Sequence, residues 1–111
     1  MKKNLVEIEY RLFHYNEKHK IKRGKNKLMS GNFADLRGNC SGLFGKGIAL
    51  KGDCSGLRGD ITHLRGDLSW LFGNCTGIKG DCDGLLGNLN DCGITDEDRK
   101  KGINILDLVR R

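Results

Sequence analysis

The chain has 111 residues, room for one domain around a small core, with 17 glycines, no proline and a formal charge of +6. Residues 1–28 carry nine Lys/Arg against three Glu, whereas residues 29–111 carry eleven of each sign, so attraction for polyanions starts at the N-terminal end. No apolar run approaches a membrane span, Met1-Lys2-Lys3 leads into no continuous apolar stretch, and the five cysteines are an odd number, so a cytoplasmic protein with reduced thiols is expected.

In chain order, residues 1–28 come first. Val6, Ile8, Tyr10 and Leu12 alternate with Glu7, Glu9 and Arg11, which predicts a strand or hairpin arm. The basic run Lys18, Lys20, Lys22, Arg23, Lys25 and Lys27 follows, with Glu17 as the nearby acid. It reads either as a solvated loop or as a contact for phosphates with salt-dependent affinity. Aromatic side chains to stack on bases are few, Phe13 and Tyr15 being the ones at hand.

Residues 29–91 are nine consecutive sevens: MSGNFAD, LRGNCSG, LFGKGIA, LKGDCSG, LRGDITH, LRGDLSW, LFGNCTG, IKGDCDG and LLGNLND. Position 1 is Met, Leu or Ile throughout, position 3 is always Gly, position 4 is Asn or Asp except at Lys46, and position 5 is apolar or small. Nine glycines at a fixed phase argue against a coiled coil, since each costs a helix about 1 kcal/mol relative to alanine. Gly-Asn and Gly-Asp instead supply tight-turn backbone once per repeat, and positions 1, 3 and 5 can face inward while 2, 4 and 6 face out. The expected fold is all-β, a small β-solenoid (β-helix or β-roll) of seven-residue sides stacked coil on coil.

The outward residues set the coil length. Position 2 in alternate repeats reads Arg37, Lys51, Arg65 and Lys79, with Arg23 ahead of them, and in the others Ser30, Phe44, Arg58, Phe72 and Leu86. A period of fourteen separates these sets and one of twenty-one mixes them, so two-sided coils of about 14 residues are expected, with a triangular coil as the rival. One face then carries the basic column Arg23, Arg37, Lys51, Arg65 and Lys79. The competing reading is a self-neutralising ladder, because Asp53, Asp67 and Asp81 lie two residues beyond the last three. The other face carries Phe44, Phe72, Leu86 and Ile48, with Trp70 at a corner. Such an exposed apolar patch suits a protein interface or packing under the N-terminal arm, and it leaves a homodimer open.

The phrase Asn74-Cys75-Thr76-Gly77 resembles the seven-residue sides of grass ice-binding β-rolls, which lack the leucine at position 1. The whole layout from residue 29 to about 109 is similar to small phage and mobile-element proteins with Leu-x-Gly-Asp-x-Ser-Gly heptads and a short acidic tail motif. The second resemblance implies a bacterial host cytoplasm and carries no established activity.

Residues 92–111 form the C-terminal cap. Thr95-Asp96-Glu97-Asp98 before Arg99-Lys100-Lys101 predicts a capped short helix ended by Gly102, after which Ile103, Ile105, Leu106, Leu108 and Val109 seal the last coil.

Chemistry is sparse. Cys40, Cys54, Cys75 and Cys82 fall at inward position 5 and read as small core fillers, Cys92 sits at the cap, and the spacing lacks the C-x2–4-C pairs of a zinc site. The tripeptides Arg58-Gly59-Asp60 and Arg65-Gly66-Asp67 are products of the repeat. His14, His19 and His63 have no partners at catalytic spacing, and Gly45-Lys46 is followed by Gly47 where a phosphate loop needs Ser or Thr. We therefore expect no enzyme, no cofactor and no metal. The expected role is a non-enzymatic binding protein, in concrete form a phage- or mobile-element-encoded inhibitor of a bacterial defence system such as CRISPR–Cas that occludes a host protein or nucleoprotein. Nucleic-acid binding through residues 18–27 and the basic column is the alternative, and ice binding a more distant one.

Overall fold

The computed structural model describes residues 1–5 and 11–110. Of the expected N-terminal arm, Val6, Ile8 and Tyr10 lie outside the described residues. Leu12 opens β1 (Leu12–Tyr15), which pairs antiparallel with β2 (Ile21–Arg23). The repeat follows as β3 (Met29–Gly31), β4 (Leu36–Asn39), β5 (Leu43–Gly47), β6 (Leu50–Asp53), β7 (Leu57–Asp60), β8 (Leu64–Asp67), β9 (Leu71–Asn74), β10 (Ile78–Asp81) and β11 (Gly87–Asn88). Helix α1 (Asp96–Lys101) and β12 (Ile103–Asn104) complete the chain.

These strands form a β-solenoid. Sheet one has the order β12-β10-β8-β6-β4-β1-β2 and sheet two the order β11-β9-β7-β5-β3, so successive heptads alternate between two parallel sheets. Two sheets, not three, decide for the two-sided coil. Strand starts recur every fourteen residues, at Leu36, Leu50, Leu64 and Ile78. Residues in register are nevertheless sixteen apart, as Leu36 with Gly52, Leu50 with Gly66 and Leu64 with Gly80. Each strand is thus offset by two residues from the one beneath it, and one turn of the ladder spans about 16 residues rather than the 14 of the sequence repeat. An offset of two keeps inward side chains inward; an offset of one would turn them all to solvent.

The heptad is explained by this offset. Leucine at position 1 and the residue at position 5 meet between the sheets, where Leu43, Cys40, Cys54, Ile61, Leu68, Cys75 and Cys82 are fully buried. Phe33 fills the space that Gly47 leaves at the same inward position. A β-turn then links the sheets, the position-5 carbonyl accepting from the next position-1 amide, as in Leu43 to Cys40 at 3.0 Å and Ile78 to Cys75 at 3.0 Å. The Asn or Asp at position 4 accepts from the amide two residues on, for example Ser55 to Asp53 at 2.9 Å and Thr76 to Asn74 at 3.0 Å. The hydroxyl at position 6 accepts the position-4 amide of the preceding coil: Asn39 to Ser55 at 2.9 Å, Asp53 to Ser69 at 3.0 Å and Asp60 to Thr76 at 3.0 Å. Where position 6 is Asp83 or Asn90, its Oδ1 takes over that role. The glycine at position 3 makes room for the arrangement. Gly52 has φ of 90°, and a Cβ there would collide with the Asp67 carboxylate and the Ser69 hydroxyl of the next coil.

Both ends are closed by side chains. Asn26, the buried polar side chain of the N-terminal end, donates to the carbonyls of Cys40 (2.7 Å) and Leu43 (2.9 Å) and accepts from Leu28 N–H. At the C-terminal end Thr95 and Asp98 form the expected capping box and Gly102 ends α1. Arg99 reaches back to the carbonyls of Asn74 (2.8 Å) and Thr76 (2.7 Å). Ile105 is buried and Ile103 and Leu108 pack beside the core, but Leu106 turns outward at 51% exposure. It is the second residue of a short 3-10 helix, Ile105–Leu108, in which neighbouring residues cannot all face one side.

Candidate binding surfaces

Sheet one presents the charged face. The two-residue offset sets Arg37 beside Asp53, Lys51 beside Asp67 and Arg65 beside Asp81, while Lys79 stands beside Asn104. The expected column of stacked cations is therefore interleaved with carboxylates. Lys51 Nζ also lies 3.9 Å from Asp83 Oδ1. The Ser69 hydroxyl and amide, helped by Lys51 and Arg37, hold the Asp67 carboxyl below the ordinary carboxylate range. Lys51, Arg65, Asp81 and Asp83 are solvent-exposed, and ion pairs of such groups contribute about 0–1 kcal/mol each.

Of the basic arm, Lys22 and Arg23 sit on β2, the outer strand of sheet one, where cations discourage edge-to-edge pairing. Lys18 and Lys20 lie in the turn between β1 and β2, Lys25 Nζ donates to the Met29 carbonyl at 3.2 Å, and Lys27 approaches Glu17 at 3.7 Å. All six cations of the run are exposed.

Sheet two presents the apolar face. Phe44 on β5 and Phe72 on β9 are 40% and 44% exposed, Trp70 61% and Leu86 79%. Arg58 on β7 stands between the two phenylalanines in strand order, and Asp60 is in register with Phe44. The Phe72 ring covers Gly56, occupying the space of the missing Cβ. Ile48 is exposed at the opposite corner, where β5 turns toward β6, so it does not continue the patch. Leu28, one residue before β3, is 71% exposed, and its carbonyl accepts from the Gly45 amide beside Phe44. It escaped the sequence reading because it precedes the first clear repeat. Five strands at about 4.8 Å spacing and four or five residues of width make the whole face, charged residues included, roughly 300–400 Å².

A third feature is an open cleft of about 780 Å³ between the last coil and the C-terminal tail, walled by Leu85, Leu86, Cys92, Ile105, Leu108 and Val109. All five cysteines are free, and the four inside the solenoid are buried. Among the described residues, no three His, Cys, Asp or Glu are grouped to hold a metal ion, and no helix is long and apolar enough to cross a membrane. The Thr62 and Thr76 hydroxyls are engaged inside the ladder, Thr62 with Asp60 and Thr76 with the Asp60 amide, rather than free for an external lattice. Comparison of the chain with protein-family models, with curated proteins and with solved structures finds no match.

Proposed function

We propose that the protein is a non-enzymatic binding protein that occupies a surface of another protein through the outward face of sheet two. One observation carries this reading. The outward residues at positions 4 and 6 are tied into the coil-to-coil ladder, whereas Phe44, Phe72, Trp70 and Leu86 are exposed on one sheet. A standard interface takes about 800 Å² from each partner, so contacts must extend beyond the patch to the Trp70 corner and the adjoining cleft. Half-exposed aromatic side chains on either side of an arginine are residue types enriched at protein interfaces. In concrete form the proposal is a phage- or mobile-element-encoded inhibitor of a bacterial defence system such as CRISPR–Cas, for which the support is the resemblance of the heptads.

The test compares wild type with Phe44→Asp/Phe72→Asp in pull-downs from bacterial lysate and in a CRISPR–Cas interference assay, circular dichroism confirming that both fold. We expect wild type to retain a defence protein and suppress interference, and the double mutant to lose both. Identical partners for the two proteins, or none for either, would count against the proposal.

A further inference from the structure

We infer that the outer surface of the β1–β2 hairpin is a platform for unpaired bases of a single-stranded nucleic acid. Leu12 is buried, so Phe13 and Tyr15, of opposite parity to it, lie on the solvent side of sheet one. Their rings meet edge to face, with centroids 6.0 Å apart at 81°, and Tyr15 is 45% exposed. Arg23 is in register with Phe13 on one side, and Ile21 with Tyr15. On the other side Phe13 is in register with Asn39, the one member of the Asn39, Asp53, Asp67, Asp81 series on sheet one that bears no charge. The Gly38 amide donates to the Arg11 carbonyl, which seats Arg11 at the start of the platform, and Lys18 and Lys20 extend the rim at the hairpin tip beside Glu17.

Farther along sheet one, each of Arg37, Lys51 and Arg65 has an aspartate beside it, which is the pattern of a self-neutralised face. At the hairpin, among the described residues, an aromatic pair and an asparagine stand where the aspartates stand farther along. Arg11, Arg23 and Arg37 already interact with other groups of the chain, so a phosphate would be an added partner rather than a first one. An acidic protein would need only the cations. An exposed Tyr15 ring backed by the half-buried Phe13, with arginines alongside, suits a base with its phosphate, and only an unpaired base offers its face. This site lies on sheet one and is independent of the protein-binding face of sheet two.

The experiment titrates the full chain into labelled oligothymidylate of about 15 nucleotides, with duplex of equal length and poly-glutamate as competitors, from about 50 to 200 mM salt. Single-strand affinity should fall with salt, with a log–log slope of about −2 to −3 for three or four phosphate contacts. Tyr15→Leu should weaken binding about tenfold with the slope unchanged, since loss of a stacked base is sequence-tolerant but not electrostatic. Arg23→Gln should shallow the slope by about 0.7. Phe44→Asp/Phe72→Asp should bind oligothymidylate as wild type does, which separates this inference from the proposed function. Absence of binding overturns the inference. Poly-glutamate or duplex competing as well as the single strand, with Tyr15→Leu indifferent, also overturns it and assigns the hairpin to acidic surfaces in general.

Discussion

Arg37 and Asp53 stand side by side on β4 and β6, sixteen residues apart in a chain whose repeat is fourteen. The difference of two converts a column of like charges into rows of opposite ones. It also brings Gly38, Gly45, Gly52 and Gly59 under the Asx and hydroxyl side chains of the next coil.

The offset can be read out by charge reversal. Arg65 is in register with Asp81, so Arg65→Glu should destabilise the protein, by about 0.5–1 kcal/mol, and Arg65→Gln, which brings no second negative charge, should lose less. Were equivalent residues stacked directly, Arg65 would lie between Lys51 and Lys79 and Arg65→Glu would stabilise. Urea denaturation at low salt distinguishes the two signs.

Glycines of the repeat differ in what they resist. Gly52→Ala combines a left-handed backbone at φ 90° with a collision against Asp67 and Ser69, and should cost about 2–4 kcal/mol. Gly84 has φ of 74° with open space around it, so Gly84→Ala should cost about 1 kcal/mol, the backbone contribution alone. Equal losses in denaturant titrations would show that the close approach of successive coils is not what selects glycine at position 3.

The core cysteines make stability fall in alkali. Burial pushes Cys54, Cys75 and Cys82 up to about 12 from an ordinary 9.0, and raises Cys40 in the same direction. A raised folded pKa means that the stabilisation is fully present below about 9 and is lost as pH climbs toward 12, because the unfolded chain releases those protons first. The slope is at most about 1.4 kcal/mol per thiol per pH unit. Melting temperature should therefore drop between pH 9 and 11, with less of a drop in Cys54→Val/Cys75→Val. Native protein should expose one thiol, Cys92, to a disulfide reagent, and unfolded protein all five. Rapid native modification of a second thiol would contradict the packing.

Position 1 leucines, position 5 fillers, the capping box at Thr95 and Asp98, and the helix end at Gly102 were all legible in the chain, because each is a local or periodic requirement. So was the split between a charged series and one with Phe44 and Phe72. The aromatic pair at Phe13 and Tyr15 was visible only as two isolated rings, since nothing local tells that β2 folds back to place Arg23 beside them.

Periodicity by itself determined that this protein is a β-solenoid and favoured two-sided coils, because alternate heptads carry different outward residues while sharing one inward pattern; the two sheets of the fold excluded the triangular coil. Which side chains become neighbours was decided only in three dimensions. Hydrogen bonds from position 4 amides to position 6 side chains of the next coil hold the strands two residues out of step. That step, absent from any single repeat, pairs Arg37 with Asp53 and keeps the charged face close to neutral.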